Sequence, residues 1–280
     1  MVTATSFIYD GISSEDYDLM IYYIGDPGVV EETVWEANVE EERIPCRQDA
    51  LMYGISSNSP LTFEMTVGSR QYIDRETAEE ILDWLTSHNT YKWLEFEQDD
   101  MTEWRYKALI NNVQMASVNG MPFAFKCTVI CDSQFAYEHP TQFSYEIVNG
   151  KILAPTGESL ERTEFHNNSS FQGYYYPKME MKITSSKFAI INHSDNDRRF
   201  DISIPDEYAT NDSSPSPIIN VDNKNQIITC NSDNVNIYKL FGDEAGNHYF
   251  FRLVKGQNEL SFEGDGLITF NCEFIRKVGR

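Results

Sequence analysis

The run Tyr106-Lys-Ala-Leu-Ile-Asn-Asn-Val-Gln-Met-Ala116 is followed by Asn119-Gly120 and then by Pro122-Phe-Ala-Phe-Lys-Cys-Thr-Val-Ile-Cys131. Both runs are rich in aromatic and β-branched side chains with a two-residue period, a pattern that favours extended strands. The dipeptide Asn-Gly accepts the positive φ angles of a tight two-residue turn. The stretch therefore predicts one long β-hairpin, and it indicates a fold that is mainly β.

The sequence before this hairpin continues the same pattern, with one exception. Short aromatic and β-branched runs predict strands at Tyr17 to Ile24, Leu61 to Val67 and Tyr91 to Glu97. The exception is Arg75 to His88, preceded by Asp74 as an N-cap residue. Its apolar residues recur at the spacing of one helical face, and they are Ala78, Ile81, Leu82 and Leu85. We predict a single α-helix there.

A change of composition after Glu138 marks a domain boundary. The breakers His139-Pro140, Asn149-Gly150 and Pro155-Thr-Gly157 follow it closely. We therefore predict an N-terminal domain over residues 1–138 and a C-terminal domain over residues 139–280. Short β runs with no helix between them predict an antiparallel β-sandwich for the second domain. These runs are Met179 to Thr184, Phe188 to Asn192, Phe200 to Ile204, Gln226 to Cys230, Tyr249 to Leu253, Glu259 to Phe262 and Leu267 to Phe274.

The chain is strongly acidic, and the excess is uneven. Its 280 residues carry 44 acidic and 22 basic side chains, a formal net charge of −22. Residues up to Glu138 account for −17 of this, and the remainder of the chain for −5. A surface of this sign repels phosphate groups, which argues against a nucleic-acid-binding function. A hydrophobic content of 41% is nonetheless enough for packed cores, so intrinsic disorder is excluded.

Membrane insertion and secretion are not expected. A spanning helix needs about 20 mostly apolar residues, whereas the apolar runs here are broken within eight or so. The N-terminal residues lack the basic region and the apolar stretch of a signal peptide. The odd number of cysteines and their wide spacing lead us to expect free thiols in a reducing cytoplasm. The five cysteines are Cys46, Cys127, Cys131, Cys230 and Cys272.

The sequence contains no convincing catalytic or metal-binding motif. The sequence has no phosphate-binding loop, no nucleophile elbow and no zinc-protease motif. Asp195-Asn-Asp197 begins like a calcium loop, but Phe200 replaces the required glycine and Asp206 replaces the final glutamate. The histidines lie far apart and have no partner at ligand spacing; they are His88, His139, His166, His193 and His248. We predict no catalytic, metal-binding or cofactor-binding residue, and no enzymatic activity.

Two acidic runs and the aromatic residues are better explained by structural roles than by catalysis or sugar binding. Asp99-Asp100 and Glu40-Glu41-Glu42 are better read as solvated loops than as paired catalytic carboxylates. Tyr174-Tyr-Tyr176 could form a sugar-binding platform, or it could pack inside the domain or line a subunit contact. The tryptophans all lie in the first half; they are Trp35, Trp84, Trp93 and Trp104. Trp84 and Trp93 flank the predicted helix, where core or rim packing suits them better than a sugar-binding platform.

Several segments, in order, resemble the distal tail (Dit) proteins of siphophages that infect Gram-positive bacteria. The opening Ser6-Phe-Ile-Tyr-Asp-Gly-Ile-Ser-Ser-Glu-Asp-Tyr-Asp-Leu-Met-Ile21 is similar to the start of that family. The predicted helix over Asp74–Leu85 and the long hairpin resemble the family's single helix and hairpin. Cys131-Asp-Ser-Gln-Phe-Ala-Tyr137 resembles its exit from the first domain, with serine in place of the usual proline. Lys255-Gly-Gln-Asn-Glu-Leu260 resembles the region of its last strands.

This resemblance implies a β-rich belt domain with one helix and a long hairpin, followed by a galectin-like β-sandwich. It also implies a homo-hexameric ring at the virion tail tip or baseplate, assembled in the cytoplasm of the bacterial host. In the family the ring connects the tail-tube protein to the tail-tip protein, and some members carry receptor-binding proteins. Contractile-tailed phages and prophages have similar hubs, so either origin fits.

The resemblance gives the acidic first half a role. If residues 1–138 line the ring, an acidic lumen around Glu40 to Glu42 would let DNA slide through without specific binding. Subunit contacts would then rely on β-edge pairing and apolar packing. The alternative function is a carbohydrate-binding module that recognises host cell-wall sugar through the C-terminal sandwich. A cell-wall hydrolase is a third, weaker reading, because no spacing places two carboxylates across a cleft.

Overall fold

A computed structural model describes residues 4–24, 38–57, 60–99, 101–204, 217–231 and 249–277 of the chain. The chain divides into two compact units. The first contains Met1–His139 together with Arg276–Arg280, and the second contains Pro140–Ile275. The C-terminal strand at Ile275–Arg276 pairs with the strand that ends at Glu138.

The first unit contains eleven described strands, one 3₁₀-helix (η1, Ser14–Tyr17) and one α-helix (α1, Arg75–Thr86). Its strands are β1 Phe7–Tyr9, β2 Ile12–Ser13, β3 Met20–Ile24, β4 Asn38–Glu42, β5 Leu51–Ser57, β6 Thr62–Gly68, β7 Lys92–Phe96, β8 Trp104–Val118, β9 Met121–Cys131 and β10 Ala136–Glu138, with β22 Ile275–Arg276 at the junction of the two units. The main sheet runs β2-β1-β7-β8-β9-β6-β3, and β10 joins it through β8. The strands β4 and β5 form a separate two-stranded sheet.

The predicted hairpin is confirmed as β8 and β9. Asn119 and Gly120 have φ angles of 52° and 80°, the left-handed region that a two-residue turn requires. Along β8 the residues Tyr106, Ala108 and Ile110 alternate into the core. This alternation is what buries one face of the sheet.

The predicted helix is confirmed as well, and it ends at Thr86 rather than His88. Asp74 caps it by accepting a hydrogen bond from the backbone N–H of Thr77 at 3.0 Å. Its apolar face lies against the sheet, where Trp84 stacks on Phe7 with ring centroids 5.6 Å apart. The Trp84 Nε1–H donates to the carbonyl of Tyr9 at 3.0 Å. These contacts hold the helix on the core of the first unit.

The second unit contains a seven-stranded sheet and a four-stranded sheet. Its strands are β11 Thr141–Val148, β12 Lys151–Leu153, β13 Ser159–Leu160, β14 Thr163–Asn167, β15 Lys178–Ile183, β16 Lys187–Asn192, β17 Arg198–Ser203, β18 Ile218–Asp222, β19 Ile227–Cys230, β20 Gly256–Glu263 and β21 Gly266–Cys272, with a 3₁₀-helix η2 at His193–Asp195. The larger sheet runs β13-β12-β11-β21-β15-β18-β19, and the smaller runs β14-β20-β16-β17.

The two sheets of the second unit share one apolar core. Met181 and Phe270 from the larger sheet and Ile190, Phe200 and Leu260 from the smaller are all fully buried in the same cluster. Sheets that bury their inner faces against each other form a β-sandwich. The fold class predicted from the sequence, mainly β with one helix, is therefore confirmed.

Two predicted strands are wrong in their extent. Tyr17 belongs to the 3₁₀-helix, and Asp18 then turns the chain with a φ of 57°, so the strand begins only at Met20. The run Tyr249 to Leu253 forms one isolated β-bridge, between Leu253 and Tyr175, instead of a strand.

Side chains explain why this second run departs from a strand. The Phe251 N–H donates to the Asn223 side chain at 2.9 Å. The Arg252 carbonyl accepts from the Asn192 side-chain amide at 3.1 Å. Because side chains satisfy these backbone groups, the run does not need a neighbouring strand.

Candidate assembly surface

The distal part of the long hairpin, Asn111–Met121, extends beyond the packed part of the sheet. Every residue in it except Val113 is exposed. A register shift between Asn111 and Gln114 separates it from the regular ladder, and Asn112 there has a φ of 49°. Beyond this bulge the two strands still pair, down to Val118 opposite Met121. We call residues Asn111–Met121 the hairpin end.

The hairpin end carries large apolar side chains that the unit itself does not bury. Met115, Val118 and Met121 are 49%, 49% and 51% exposed. Exposed apolar groups gathered in one segment are typical of a protein contact. The hairpin end is therefore the first candidate for a contact with another chain.

The strands β4 and β5 form a second exposed feature, which we call the acidic hairpin. The residues Glu40 to Glu42 lie on strand β4 and not in the loop that the sequence predicted. The Tyr53 hydroxyl donates to Glu42 Oε2 at 2.6 Å, and this hydrogen bond to a carboxylate raises the pKa of Tyr53. Met52 and Tyr53 are themselves 63% and 65% exposed. A two-stranded sheet of this kind is marginally stable on its own in water.

The main sheet of the first unit also ends in an edge strand. Among the described residues, the strand β3 lies at one end of the strand order and pairs with β6. Its ladder with β6 shifts register between Ile21 and Tyr23, and the Ile21 N–H donates to the carbonyl of Thr5 at 2.8 Å. The exposed Tyr22 donates its hydroxyl hydrogen to the carbonyl of Ser69 at 2.7 Å. The edge strand of a sheet can serve as a template for a strand of a neighbouring chain.

The four described histidines have separate surroundings. His88 is partly buried against Tyr9, and its Nε2 lies 3.8 Å from Asp10 Oδ2. His193 contacts Asp197 through Nδ1 and Ser261 through Nε2, at 2.5 and 2.8 Å. His139 Nε2 is 3.9 Å from a Glu95 carboxylate oxygen. His166 is exposed on β14, and His248 lies outside the described residues.

The acidic residues that resemble calcium ligands or catalytic carboxylates in the sequence have other contacts. Asp195, the first residue of the calcium-like run, is buried and accepts two hydrogen bonds from Arg252. Asp197 lies against His193. Asp100, which follows Asp99 in the sequence, lies outside the described residues. Within the described part of the chain, no three His, Cys, Asp or Glu side chains gather in a way that could hold a metal ion.

Of the tryptophans and tyrosines considered for sugar binding, some lie in the core and others on the surface. Trp84 is buried, Trp93 lies under the Arg105 guanidinium at 3.6 Å, and Trp104 is half-buried. Tyr175 packs inside the second unit and accepts a hydrogen bond from the Glu273 N–H at 2.7 Å. Tyr174 beside it is exposed. Trp35 lies outside the described residues.

All five cysteines are free thiols. Cys46 is exposed in the turn region of the acidic hairpin, whereas Cys127, Cys131 and Cys272 are buried. Burial raises the pKa of the Cys127 thiol to about 12. Among the described helices, none has the length and apolar character to cross a membrane.

The hairpin, the helix and the opening strands all lie in a segment with a recognised family. Residues 2–133 match the family model of the phage tail protein N-terminal domain. The N-terminal part of this chain is therefore similar to a phage tail protein N-terminal domain. Comparison with curated proteins gives no match.

Solved structures share the fold of the whole chain. SPP1 Dit (gp 19.1), a paradigm of the hub adsorption apparatus in Gram-positive infecting phages, superposes with a TM-score of 0.66 at 10% identity. That similarity covers 96% of this chain and 98% of SPP1 Dit. Chains of the phage P2 baseplate in its activated conformation are also similar. The Ca form gives a TM-score of 0.52 at 11% identity, covering 97% and 98% of the two chains, and the Sr form gives 0.51 at 12%, covering 95% and 97%.

The chain therefore has a Dit-like fold over 96% of its length. The resemblance seen in the sequence is confirmed, since most of the motif-bearing segments fall within residues 2–133 and the chain follows SPP1 Dit over that length. The sequence alone did not indicate the exposure of the hairpin end, because the strand pattern of β8 and β9 continues through it unchanged.

Proposed function

We propose that this chain is the structural hub of a phage tail tip or baseplate and that six copies form a ring. The ring would connect the tail-tube protein to the tail-tip protein, carry receptor-binding proteins at its periphery in some arrangements, and leave a channel for DNA. The observation that carries the proposal is the Dit-like fold over 96% of the chain, joined to a phage tail domain at its N-terminus.

Three features of the first unit support assembly. The hairpin end exposes Met115, Val118 and Met121, and the strand β3 lies at the edge of the main sheet among the described residues. The acidic hairpin lacks a third strand among the described residues. Each of these features gains stability if a neighbouring subunit covers it, because apolar burial and ladder hydrogen bonds both favour the assembled state.

Solution mass and imaging test the ring directly. Size exclusion with light scattering should give six copies of the 32.3-kDa chain, about 194 kDa, and negative-stain images should show a central hole. A monomer at every concentration would contradict self-assembly of the isolated chain. The same purified protein should then be mixed with its tail-tube protein, and a mass that still does not change would contradict the ring.

The acidic first unit is proposed to line the DNA channel. A wall built from residues 1–138, whose net charge is −17, repels the phosphates of the passing DNA and so avoids trapping them. Replacing Glu40, Glu41 and Glu42 by lysine in the phage should slow DNA ejection while particles still assemble. The matched control replaces three exposed acids of the helix, Glu76, Glu79 and Glu80, by lysine. Equal ejection rates for wild type and the first variant would refute a luminal position of the acidic hairpin.

A second candidate function is the binding of cell-wall sugar by the C-terminal sandwich. It is favoured by one observation, the exposed ring of Tyr174. Its neighbour Tyr175 is committed to packing and to the Glu273 hydrogen bond, so a platform of three tyrosines does not form. Titration with cell-wall polysaccharide distinguishes this candidate from the hub, since a purely structural hub gives no saturable signal.

A further inference from the structure

The second unit carries a group of two arginines and three tyrosines around one buried acid. It lies where the 3₁₀-helix η2 meets strand β17 and the run 249–252. We call it the arginine–tyrosine cluster, and its residues are Tyr174, Tyr176, Asp195, Arg198, Tyr249 and Arg252. Nothing in the proposed hub function requires it.

The buried acid neutralises only one of the two arginines. The Asp195 side chain is 4% exposed and accepts hydrogen bonds from Arg252 Nε at 2.7 Å and Nη2 at 3.1 Å. The Arg198 Nε lies 4.0 Å from the same carboxylate. Two guanidinium groups therefore share one carboxylate, which leaves the three charged groups with a net charge of +1. This excess is unusual in a chain whose net charge is −22.

Both guanidinium groups are held in fixed positions. Arg252 Cζ lies 3.4 Å from the ring centroid of Tyr174, and Arg198 Cζ lies 4.3 Å from that of Tyr249. Arg198 also donates from Nε and Nη2 to the Phe250 carbonyl, each at 3.3 Å. Burial, and then the positive charge of Arg252, lower the pKa of Arg198. A bound anion beside both guanidinium groups would relieve that repulsion.

The tyrosines also remain open to solvent. Tyr174 and Tyr249 are 43% and 52% exposed although each ring already contacts a guanidinium. An exposed aromatic ring beside a cation offers an apolar surface next to an anion site. A phosphate monoester carries up to two negative charges and three acceptor oxygens, so it matches the excess positive charge here and can accept hydrogen bonds from more than one guanidinium group.

We propose that the arginine–tyrosine cluster binds a phosphate ester of a polyol or sugar. Arg198 and Arg252 would donate to the phosphate, and the rings of Tyr174 and Tyr249 would pack against the carbon face of the polyol or sugar. This inference does not depend on ring formation, since every residue belongs to one sandwich.

The test is a phosphorus NMR titration of glucose 1-phosphate and of glycerol 1-phosphate with the full-length protein. We expect saturable broadening of the ester resonance. The variant R198Q removes one donor and leaves the Asp195–Arg252 pair in place, so it should weaken binding about tenfold or more. Y249A retains both charges and should weaken the ester while leaving inorganic phosphate unchanged. The control is R162Q, which removes an exposed arginine paired with Glu259 at 3.0 Å in the same unit.

The possible results separate cleanly. Absence of saturable broadening, or undiminished binding by a folded R198Q protein, would overturn the proposal. Equal affinity for inorganic phosphate and for the esters would overturn the role of the tyrosine rings and with it the polyol or sugar ligand. Tighter binding of an oligoglutamate peptide would overturn it in favour of an acidic protein partner. Circular dichroism of each variant verifies that the sandwich is folded.

Discussion

Charging the hairpin end tests the proposed ring most directly. The double variant Val118→Asp, Met121→Asp places two carboxylates on side chains that are 49% and 51% exposed in the single chain. These positions pair with each other at the turn, so both changes fall on one spot. Neither side chain belongs to the buried core, and the variant chain should fold.

The expected loss of affinity follows from the remaining exposed area. Full burial of a valine or methionine side chain contributes about 1.5–3 kcal/mol, so half of that for two residues gives about 1.5–3 kcal/mol per subunit contact. Burying a carboxylate at the contact adds a penalty of its own. Each contact should therefore weaken by at least about 10- to 150-fold, at 1.4 kcal/mol for each factor of ten.

Light scattering across a range of protein concentrations measures this loss. The variant should run as a monomer where the wild type is a ring. A matched control, Val148→Asp, Ile227→Asp, adds the same charge at apolar residues of the second unit that are 45% and 52% exposed, and it should keep the ring. A ring that survives in the hairpin variant would refute the assignment of the hairpin end to a subunit contact. Loss of the ring in both variants would show that added charge alone opposes assembly.

Four further predictions follow from individual contacts. Trp84→Phe removes the hydrogen bond to Tyr9 and should lower the free energy of unfolding of the first unit by about 2–4 kcal/mol in urea; no change would contradict the anchoring of the helix. Hydrogen bonds from the backbone N–H and then the hydroxyl of Thr77 lower the pKa of Asp74. Its cap therefore stabilises the helix above the ordinary carboxyl pKa and is lost as the pH falls through the lowered value. Asp74→Ala should destabilise the first unit at neutral pH but not in strong acid, and an equal effect at both pH values would contradict a charged cap. Iodoacetamide should label Cys46 rapidly in the native protein and spare Cys127, which mass spectrometry of peptides checks; rapid labelling of both would contradict the buried position of Cys127. The ring should tighten as salt rises, because screening reduces repulsion between acidic subunits; sedimentation at low and high salt measures this, and a looser ring at high salt would indicate ion pairs at the contact.

The elements that the sequence predicted well are those with local signals. Asn119 and Gly120 specify a turn by themselves, and the flanking alternation fixes which face of β8 and β9 is buried. The helix has a cap at Asp74 and an apolar stripe of period 3.6, which no strand could use. Each signal lies within about a dozen residues, and no distant contact competes with it.

The sequence failed where distant side chains replace a strand partner. The run Tyr249 to Leu253 has the composition of a strand, but Asn192, Arg198 and Asn223 bond its backbone groups instead. These three residues lie between 26 and 61 positions earlier in the chain, so no local pattern could reveal them. The prediction of a loop at Glu40 to Glu42, in the acidic hairpin, was wrong for another reason. Its run of glutamates has low strand propensity, and the ladder with β5 shifts register twice.

The candidate surfaces were the least predictable part. Met115, Val118 and Met121 are apolar like most of the buried positions of β8 and β9, so sequence cannot tell an exposed apolar group from a core one. The arginine–tyrosine cluster is assembled from three separate stretches of the chain. Its members, apart from the tyrosine run and Asp195, carried no motif that a sequence search could recognise.

In the first unit, the net negative charge opposes assembly, whereas the exposed apolar side chains favour it. The net charge of −17 on residues 1–138 drives copies apart, and this repulsion extends only about 10 Å at moderate salt. Apolar contacts act at contact distance and do not weaken with salt, so they can dominate once two hairpin ends meet a neighbour. A subunit built in this way associates through a few specific apolar positions and is repelled everywhere else. That combination favours one closed contact geometry over random aggregation, which is what a ring around a DNA channel requires.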